Sequence, residues 1–313
     1  MLHSIAIACQ GGGSHTAFTA GVLKRILREK ENRFHIAALS GTSGGAICAA
    51  VAWYGLLLND KNKAVELLDN FWQDTMAASL WDLLLNTSIV WTSRLRSFVP
   101  IPEINPSLVP LWTQELLQKM IEKQIDFSHI KTLFNQSSPH LLIGAVNLLT
   151  GAFKVFKNTE VTAQSLLASA AVPTLFSAVK IGEDLYWDGL FSHNPPLEGL
   201  TDIKPDEIWV IQINPLSRFS EPKSIDEIID RRNELSANLS LEQELYFIEK
   251  INELLKNNLI ADTAKYKHIQ IRRIKMCRDL DYASKLERSP AFIKGMMSYG
   301  ENEAEKFLTN LSL

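Results

Sequence analysis

Phe34-His35-Ile36-Ala37-Ala38-Leu39-Ser40-Gly41-Thr42-Ser43-Gly44-Gly45-Ala46-Ile47-Cys48-Ala49-Ala50 is the stretch whose reading decides the fold. Ile36 to Leu39 is a short apolar run that suits a buried strand, and the Ala-rich segment from Ala46 predicts a helix to about Tyr54. Between them, Gly41-Thr42-Ser43-Gly44-Gly45 fits G-x-S-x-G in the strand–turn–helix context of a nucleophile elbow. Such a turn crowds neighbouring backbone against Gly41 and Gly45, where a side chain would not fit. It lifts Ser43 to a helix N-terminus, where the dipole and free N–H groups favour a developing negative charge. The plain alternative is a Gly/Ser-rich turn between a strand and a helix.

Composition bounds what surrounds this stretch. The 313 residues are 46% hydrophobic and 21% charged, which suits a globular protein with a large core. A net charge of −3 supplies no general basic field, so nucleic acid is not an expected partner. Cys9, Cys48 and Cys277 are scattered and odd in number, which favours buried thiols in a reducing compartment over a disulfide framework. The first residues lack a basic n-region, and Ile5 to Cys9 is too short for the apolar core of a signal peptide. No apolar run reaches a membrane span. The expected location is cytoplasmic, with peripheral membrane contact or export without a cleaved signal left open.

Upstream of the elbow a similar unit repeats. Ser4 to Cys9 reads as a buried strand, Gln10-Gly11-Gly12-Gly13-Ser14-His15 as a loop, and Thr16 to Arg28 as a helix with Phe18, Val22, Ile26 and Leu27 on one side and Lys24, Arg25 and Arg28 as its polar face. Three adjacent glycines let backbone N–H groups approach an anion. The loop fits neither G-x-G-x-x-G, because Thr16 stands at the last position, nor the Walker pattern. An oxyanion hole serving Ser43 and a merely structural turn remain.

Downstream, Lys61 to Trp72 and Thr113 to Lys123 read as helices, and His140 to Val146 as a strand with a hairpin partner to Phe156. The Leu- and Trp-rich stretch from Leu80 to Trp112, with prolines at 100, 102, 106 and 110, is either core or an acyl-binding wall or flap. Thr162 to Ala171 is a small-residue helix stopped at Pro173. Short strands then lead to Trp187-Asp188-Gly189-Leu190, a loop position usual for catalytic groups on a parallel sheet. Glu207 to Asn214 and His268 to Ile274 read as strands, Ser224 to Lys256 as one or two helices, and Pro290 to Leu308 as the last helix. Arg272, Arg273, Lys275 and Arg278 form a basic cluster, either a solvated edge strand or a contact for anionic headgroups.

A serine nucleophile needs a base and oxyanion donors. The usual order of Ser, acid, His leaves only His193 and His268 after Asp188, and neither stands in a compelling loop. A simpler device pairs Ser43 with Asp188 directly, the amides of Gly11, Gly12, Gly13 and Gly44 receiving the oxyanion.

With these residues in hand, the chain resembles the patatin-like phospholipases, a family of Ser–Asp dyad lipid acyl hydrolases. Gly11-Gly12-Gly13 followed by Gly21-Val22-Leu23, Gly41-Thr42-Ser43-Gly44-Gly45, Ala168-Ser169-Ala170-Ala171-Val172-Pro173 with Phe176, and Asp188-Gly189 carry the likeness in order. The loop around His15 and the tail Arg231-Arg232-Asn233-Glu234-Leu235-Ser236 resemble a bacterial subgroup with a C-terminal extension. The resemblance implies an α/β protein with a patatin-like three-layer α/β/α fold and a mostly parallel central sheet. It also implies a catalytic domain over 4–200, and an extension over 201–313 that adds a strand and helices to the same core. It implies hydrolysis of phospholipid or another acyl ester through an acyl-enzyme, of phospholipase A or lysophospholipase type, with no metal or cofactor. His15 stands where the family usually has Arg or Lys, Thr16 where it has Gly, and Leu190 where it has Gly or Ala after Asp-Gly. The departures at Thr16 and Leu190 motivate a second reading, a lipid-binding or scaffolding protein whose hydrolysis is lost or needs an activator.

Overall fold

Strand β1 (His3–Cys9) is buried on both faces. Ile5, Ile7 and Cys9 enter one apolar cluster and Ala6 and Ala8 another, as the two-residue period of a strand requires. A strand buried this way belongs inside a sheet with helices on both sides. The computed structural model describes residues 2–30, 33–77, 79–95, 112–173, 175–218, 221–260 and 265–311 and has this three-layer α/β/α arrangement. After β1 come α1 (Ala17–Leu27), β2 (Phe34–Gly41), α2 (Gly44–Leu57), α3 (Lys61–Thr75), α4 (Leu80–Leu95), α5 (Trp112–Gln124) and α6 (Ile130–Leu133). They are followed by β3 (His140–Asn147), β4 (Phe153–Lys157), α7 (Ala163–Ser169), β5 (Val179–Ile181), β6 (Asp184–Asp188) and α8 (Glu198–Thr201). The remainder is β7 (Glu207–Gln212), α9 (Ile225–Lys256), β8 (Gln270–Lys275) and α10 (Pro290–Thr309).

The sheet order is β5-β6-β3-β2-β1-β7-β8, with β4 also paired to β3. β3, β2, β1, β7 and β8 run parallel, while β4, β5 and β6 join antiparallel. From β1 the chain steps to β2 on one side and later to β7 on the other. The carboxyl ends of β1 and β7 therefore flank a topological switch point, the crevice where open parallel sheets bind ligands.

The register of β3 places β6. Leu142 pairs with Ser40 of β2 and with Lys157 of β4, so these two strands occupy opposite edges of β3. Val146 pairs with Phe153 of β4 and with Trp187 of β6, so β6 shares the edge used by β2. β2 leaves that edge at Gly41, opposite Ile143, and β6 enters it head-on with Asp188 opposite Ala145. Asp188 thus ends an antiparallel strand, a correction to the parallel-sheet loop expected from its sequence.

The two helical layers are unlike. α1, α2, α3 and α10 cover the face carrying Ile5 and Ile7, and α1 is buried nearly all round. Lys24, read from the sequence as a polar face of α1, is instead buried against Asp69 of α3 and Glu301 of α10, at 2.6 and 2.8 Å. The opposite face is lined by the small side chains of Ala6, Ala8 and Ala38 and is covered by Leu241, Leu245 and Ile248 of α9. α9 is one 32-residue helix, started by a capping box in which Ser224 accepts from Glu227 N–H and Glu227 reaches back.

Leu80 to Trp91 falls within α4, and residues 98–111, with the four prolines, lie outside the described residues. Of the basic cluster, Arg272 and Arg273 lie on β8, which ends the sheet order, and pair with Glu207 and Glu242, while Arg278 beyond it stacks 4.1 Å from the Tyr299 ring centroid.

Candidate active site

Ser43 joins β2 to α2 with φ 57° and ψ −133°, a conformation that costs free energy for a residue with a Cβ. The turn is as crowded as its glycines imply. A Cβ on Gly41 would lie 2.6 Å from Gly45 O, and one on Gly45 would lie 2.4 Å from Cys9 O. Ser43 N–H donates to Ser169 Oγ at 3.0 Å, and Ser169 Oγ donates to Gly144 O at 2.7 Å. Thr42 Oγ1 donates to His193 O at 2.5 Å. The strained residue is thereby held from both sides by β3 and by the loop after Asp188.

Asp188 is fully buried. Its Oδ1 accepts Leu190 N–H at 2.8 Å, and its Oδ2 has no hydrogen-bond partner among the described residues. Burial raises its pKa to about 7, against smaller lowering by the Ser43 hydroxyl and the Leu190 N–H. Gly189 is needed because a Cβ there would lie 2.6 Å from Gly144 O. Leu190 serves Asp188 through its backbone N–H, which any residue but proline supplies at that position.

The triple-glycine loop divides its labour. Gly11 N–H donates to Asn194 Oδ1 at 2.7 Å and Gly11 O accepts from Asn214 Nδ2 at 3.1 Å, so Gly11 braces the loop rather than offering a donor. The N–H groups of Gly12, Gly13 and Gly44 make no such bond among the described residues. Thr16 Oγ1 donates to Gly13 O at 2.6 Å and packs so close to Gly44 that a Cβ there would lie 2.2 Å from it. His15 is buried, with Nε2 2.7 Å from Ser284 Oγ. Burial, with Lys285 adding to it, lowers the pKa of His15 to about 3, so its ring is neutral where the family usually has a cation.

Ser43, Asp188 and Gly11, Gly12 and Gly13 line one cavity of about 100 Å³. Val172, Leu175, Leu190, Ile229 and Leu286 form an apolar side; Asn194, Asn214, Asn233, Asp230, Glu234 and Lys285 form a polar one. None of the seven histidines in the chain lines it. His193 turns its Nδ1 to Glu244 Oε1 at 2.7 Å, which raises its pKa, and it borders a different cavity; His268 is exposed.

A sequence profile described as patatin-like phospholipase matches residues 7–201. The chain belongs to the patatin-like phospholipase family. The family's lipid acyl hydrolase activity and lipid substrates are therefore the coarse assignment for this patatin-like protein. Among solved structures, VipD from Legionella pneumophila is similar at 13% identity and a TM-score of 0.46, over 99% of this chain and 67% of that one. The type III effector protein ExoU is similar at 14% identity and a TM-score of 0.37, over 97% of this chain and 52% of that one. The heterodimeric ExoU-SpcU complex from the type III secretion system of Pseudomonas aeruginosa gives 14% and 0.33, over 98% and 52%. This patatin-like chain thus spans about half the length of the ExoU chains. No curated protein matches it. No described helix is long and apolar enough to cross a membrane.

Several residues of the site carried no assigned role in the sequence. Ser169 anchors the Ser43 amide, although its Ala-Ser-x-Ala segment is conspicuous. Gln10 accepts from Ile213 and Asn214 N–H and donates to Asn238 on α9, and with Asn194 and Asn214 it fixes the glycine loop. Scattered amide side chains have no spacing signal that would reveal such a brace.

Proposed function

We propose that this protein is a serine acyl hydrolase of phospholipase A or lysophospholipase type, acting at peripheral membrane contact through a Ser43–Asp188 dyad. The observation that carries the proposal is the buried Asp188 carboxyl with Oδ2 unpaired in the cavity that also holds Ser43. Ser43 Oγ attacks the ester carbonyl as its proton passes to Asp188 Oδ2. The N–H groups of Gly12 and Gly13, in the loop after β1, and of Gly44, at the start of α2, receive the oxyanion. Collapse returns the proton to the leaving alcohol and leaves an acyl-enzyme. Water then gives its proton to Asp188 as it attacks, and the fatty acid departs with Ser43 restored. The apolar side of the cavity suits the acyl chain and the polar side the alcohol portion.

Thr16 and Leu190 motivated the scaffold reading. Each has a role compatible with hydrolysis: Thr16 ties Gly13 and abuts Gly44, and Leu190 N–H holds Asp188. A fluorophosphonate probe should label Ser43 in the wild type. Ser43→Ala and Asp188→Asn should each lower hydrolysis of p-nitrophenyl butyrate by at least about 10³-fold in folded protein. Substantial activity in purified Ser43→Ala would sink the proposal.

A further inference from the structure

The long helix α9 is apolar on two opposite sides. Its inner side buries Ala237, Leu241, Leu245 and Ile248. Its outer side carries Ile225, Ile228, Leu235, Leu239 and Tyr246, each between 51% and 66% exposed. Together with the exposed Arg232 and Gln243, these residues recur every three or four positions and form a single stripe along the helix. A surface helix with one buried face normally turns charged and polar residues outward. Single exposed apolar residues are ordinary, whereas a continuous stripe from Ile225 to Tyr246 marks a contact surface.

The order of residues along the stripe selects what it pairs with. Leu235 and Leu239 lie two positions to either side of Ala237, and Ile228 and Tyr246 lie nine positions to either side. Arg232, five positions before Ala237, answers Glu242, five positions after it, with Gln243 alongside. The stripe therefore reads much the same from either end. Two copies laid antiparallel about a two-fold axis level with Ala237 set Leu235 against Leu239 and Ile228 against Tyr246, each contact being made twice. Arg232 makes no hydrogen bond or ion pair among the described residues. In this pairing its guanidinium comes level with Glu242 of the second copy, a carboxylate that otherwise meets Arg273. A lipid surface suits the stripe less well. Glu242, Glu249 and Glu253 run beside its C-terminal half, and Lys250 among them is paired with Glu253 at 2.7 Å. Helices that lie on anionic headgroups carry lysine and arginine there instead.

We infer that the outer face of α9 is a homodimer interface, an antiparallel contact with the same face of a second copy of this chain. The inference does not depend on the hydrolase reading of Ser43 and Asp188. It has a consequence for the cavity all the same. Ile229, Asp230, Asn233 and Glu234 line the cavity and share a stretch of helix with Ile228, Arg232 and Leu235. Pairing thus holds this wall of each cavity between its own sheet and the second copy.

Sedimentation velocity at tens of micromolar should give a species of twice 35.2 kDa. Leu239→Arg should raise the dimer dissociation constant at least about 100-fold, because the change enters the interface twice. Arg232→Glu, which sets like charges beside Glu242, should raise it at least about tenfold. Both positions are exposed, so the fold of the single chain is not at stake. Cross-linking reads the direction of pairing. In a Cys277→Ser background the remaining thiols, Cys9 and Cys48, are buried. A short bismaleimide should then join Leu239→Cys to its copy and leave Ile225→Cys unjoined, because antiparallel pairing separates the two copies of position 225 by about 36 Å along the helices. A wild type that stays monomeric, a dimer indifferent to Leu239→Arg, or cross-linking at position 225 would overturn the inference. So would a monomeric wild type whose binding to phosphatidylglycerol vesicles is lost in Leu239→Arg, which would assign the face to lipid. The wild-type mass and the cysteine pair decide even if a charged variant does not fold.

Discussion

Burying a carboxyl group raises the free energy of its ionised form, and Asp188 is fully buried with only one oxygen hydrogen-bonded. A base must be ionised to take a proton, so kcat/KM for p-nitrophenyl butyrate should rise with pH through about 7, where Asp188 titrates. A flat profile between pH 5 and 9 would count against Asp188 as the base. The same shift bears on stability with a definite sign. The folded state holds the Asp188 proton up to about pH 7, whereas an unperturbed aspartate loses it near 3.8, so the contribution of Asp188 to stability falls as pH rises between those values. Asp188→Asn, which does not titrate, should gain over the wild type from pH 4 to pH 8, by up to about 4 kcal/mol in urea unfolding. At this scale Ser43, Asp188 and the glycines were legible, because a strained turn and a close backbone approach demand particular residue types. Ser169 and the engaged amide of Gly11 were not, because their partners are distant in sequence.

At the scale of elements, α1 and α10 pack with their backbones in close approach at two glycines. A Cβ on Gly21 would lie 2.0 Å from Met297 O, and one on Gly300 would lie 2.1 Å from Phe18 O. Replacing glycine by alanine inside a helix ordinarily gains about 0.5–1 kcal/mol. At Gly300 the added methyl meets backbone that cannot rotate away, and such overpacking costs about 1–3 kcal/mol. Gly300→Ala should therefore lower stability by at least about 1 kcal/mol. Gly295→Ala, on the same helix with nothing within 4 Å of the new Cβ, should raise it by about 0.5–1 kcal/mol. Urea unfolding of the two variants separates packing from propensity, and equal effects would refute the account. The periodicity of α1 marks a helix, as found, but its sequence looks amphipathic because Lys24 reads as part of a polar face. Asp69 and Glu301 satisfy that ammonium in a buried position, which local sequence does not reveal.

Across the whole molecule, the segment after residue 201 completes the fold and walls the cavity. β7 pairs with β1 from Glu207 to Ile211, and α9 covers the alanine-lined face of the sheet. Asp230, Asn233, Glu234 and Lys285 then line the cavity holding Ser43. A fragment ending at 201, where the family match ends, would expose the β1 edge and an apolar sheet face. It should aggregate or fail to unfold cooperatively, as size-exclusion chromatography and urea titration would reveal; a soluble, cooperatively folded and active fragment would overturn this view. The local sequence by itself determined the strand–turn–helix units at Gly11–Gly13 and Gly41–Gly45, because glycine, small residues and apolar runs are local answers to steric and solvation demands. Only the tertiary structure decided that β6 enters the slot vacated by β2, bringing Asp188 to Ser43, and that α9 closes the cavity. Sheet register and long-range burial, unlike local pattern, depend on how the entire chain packs.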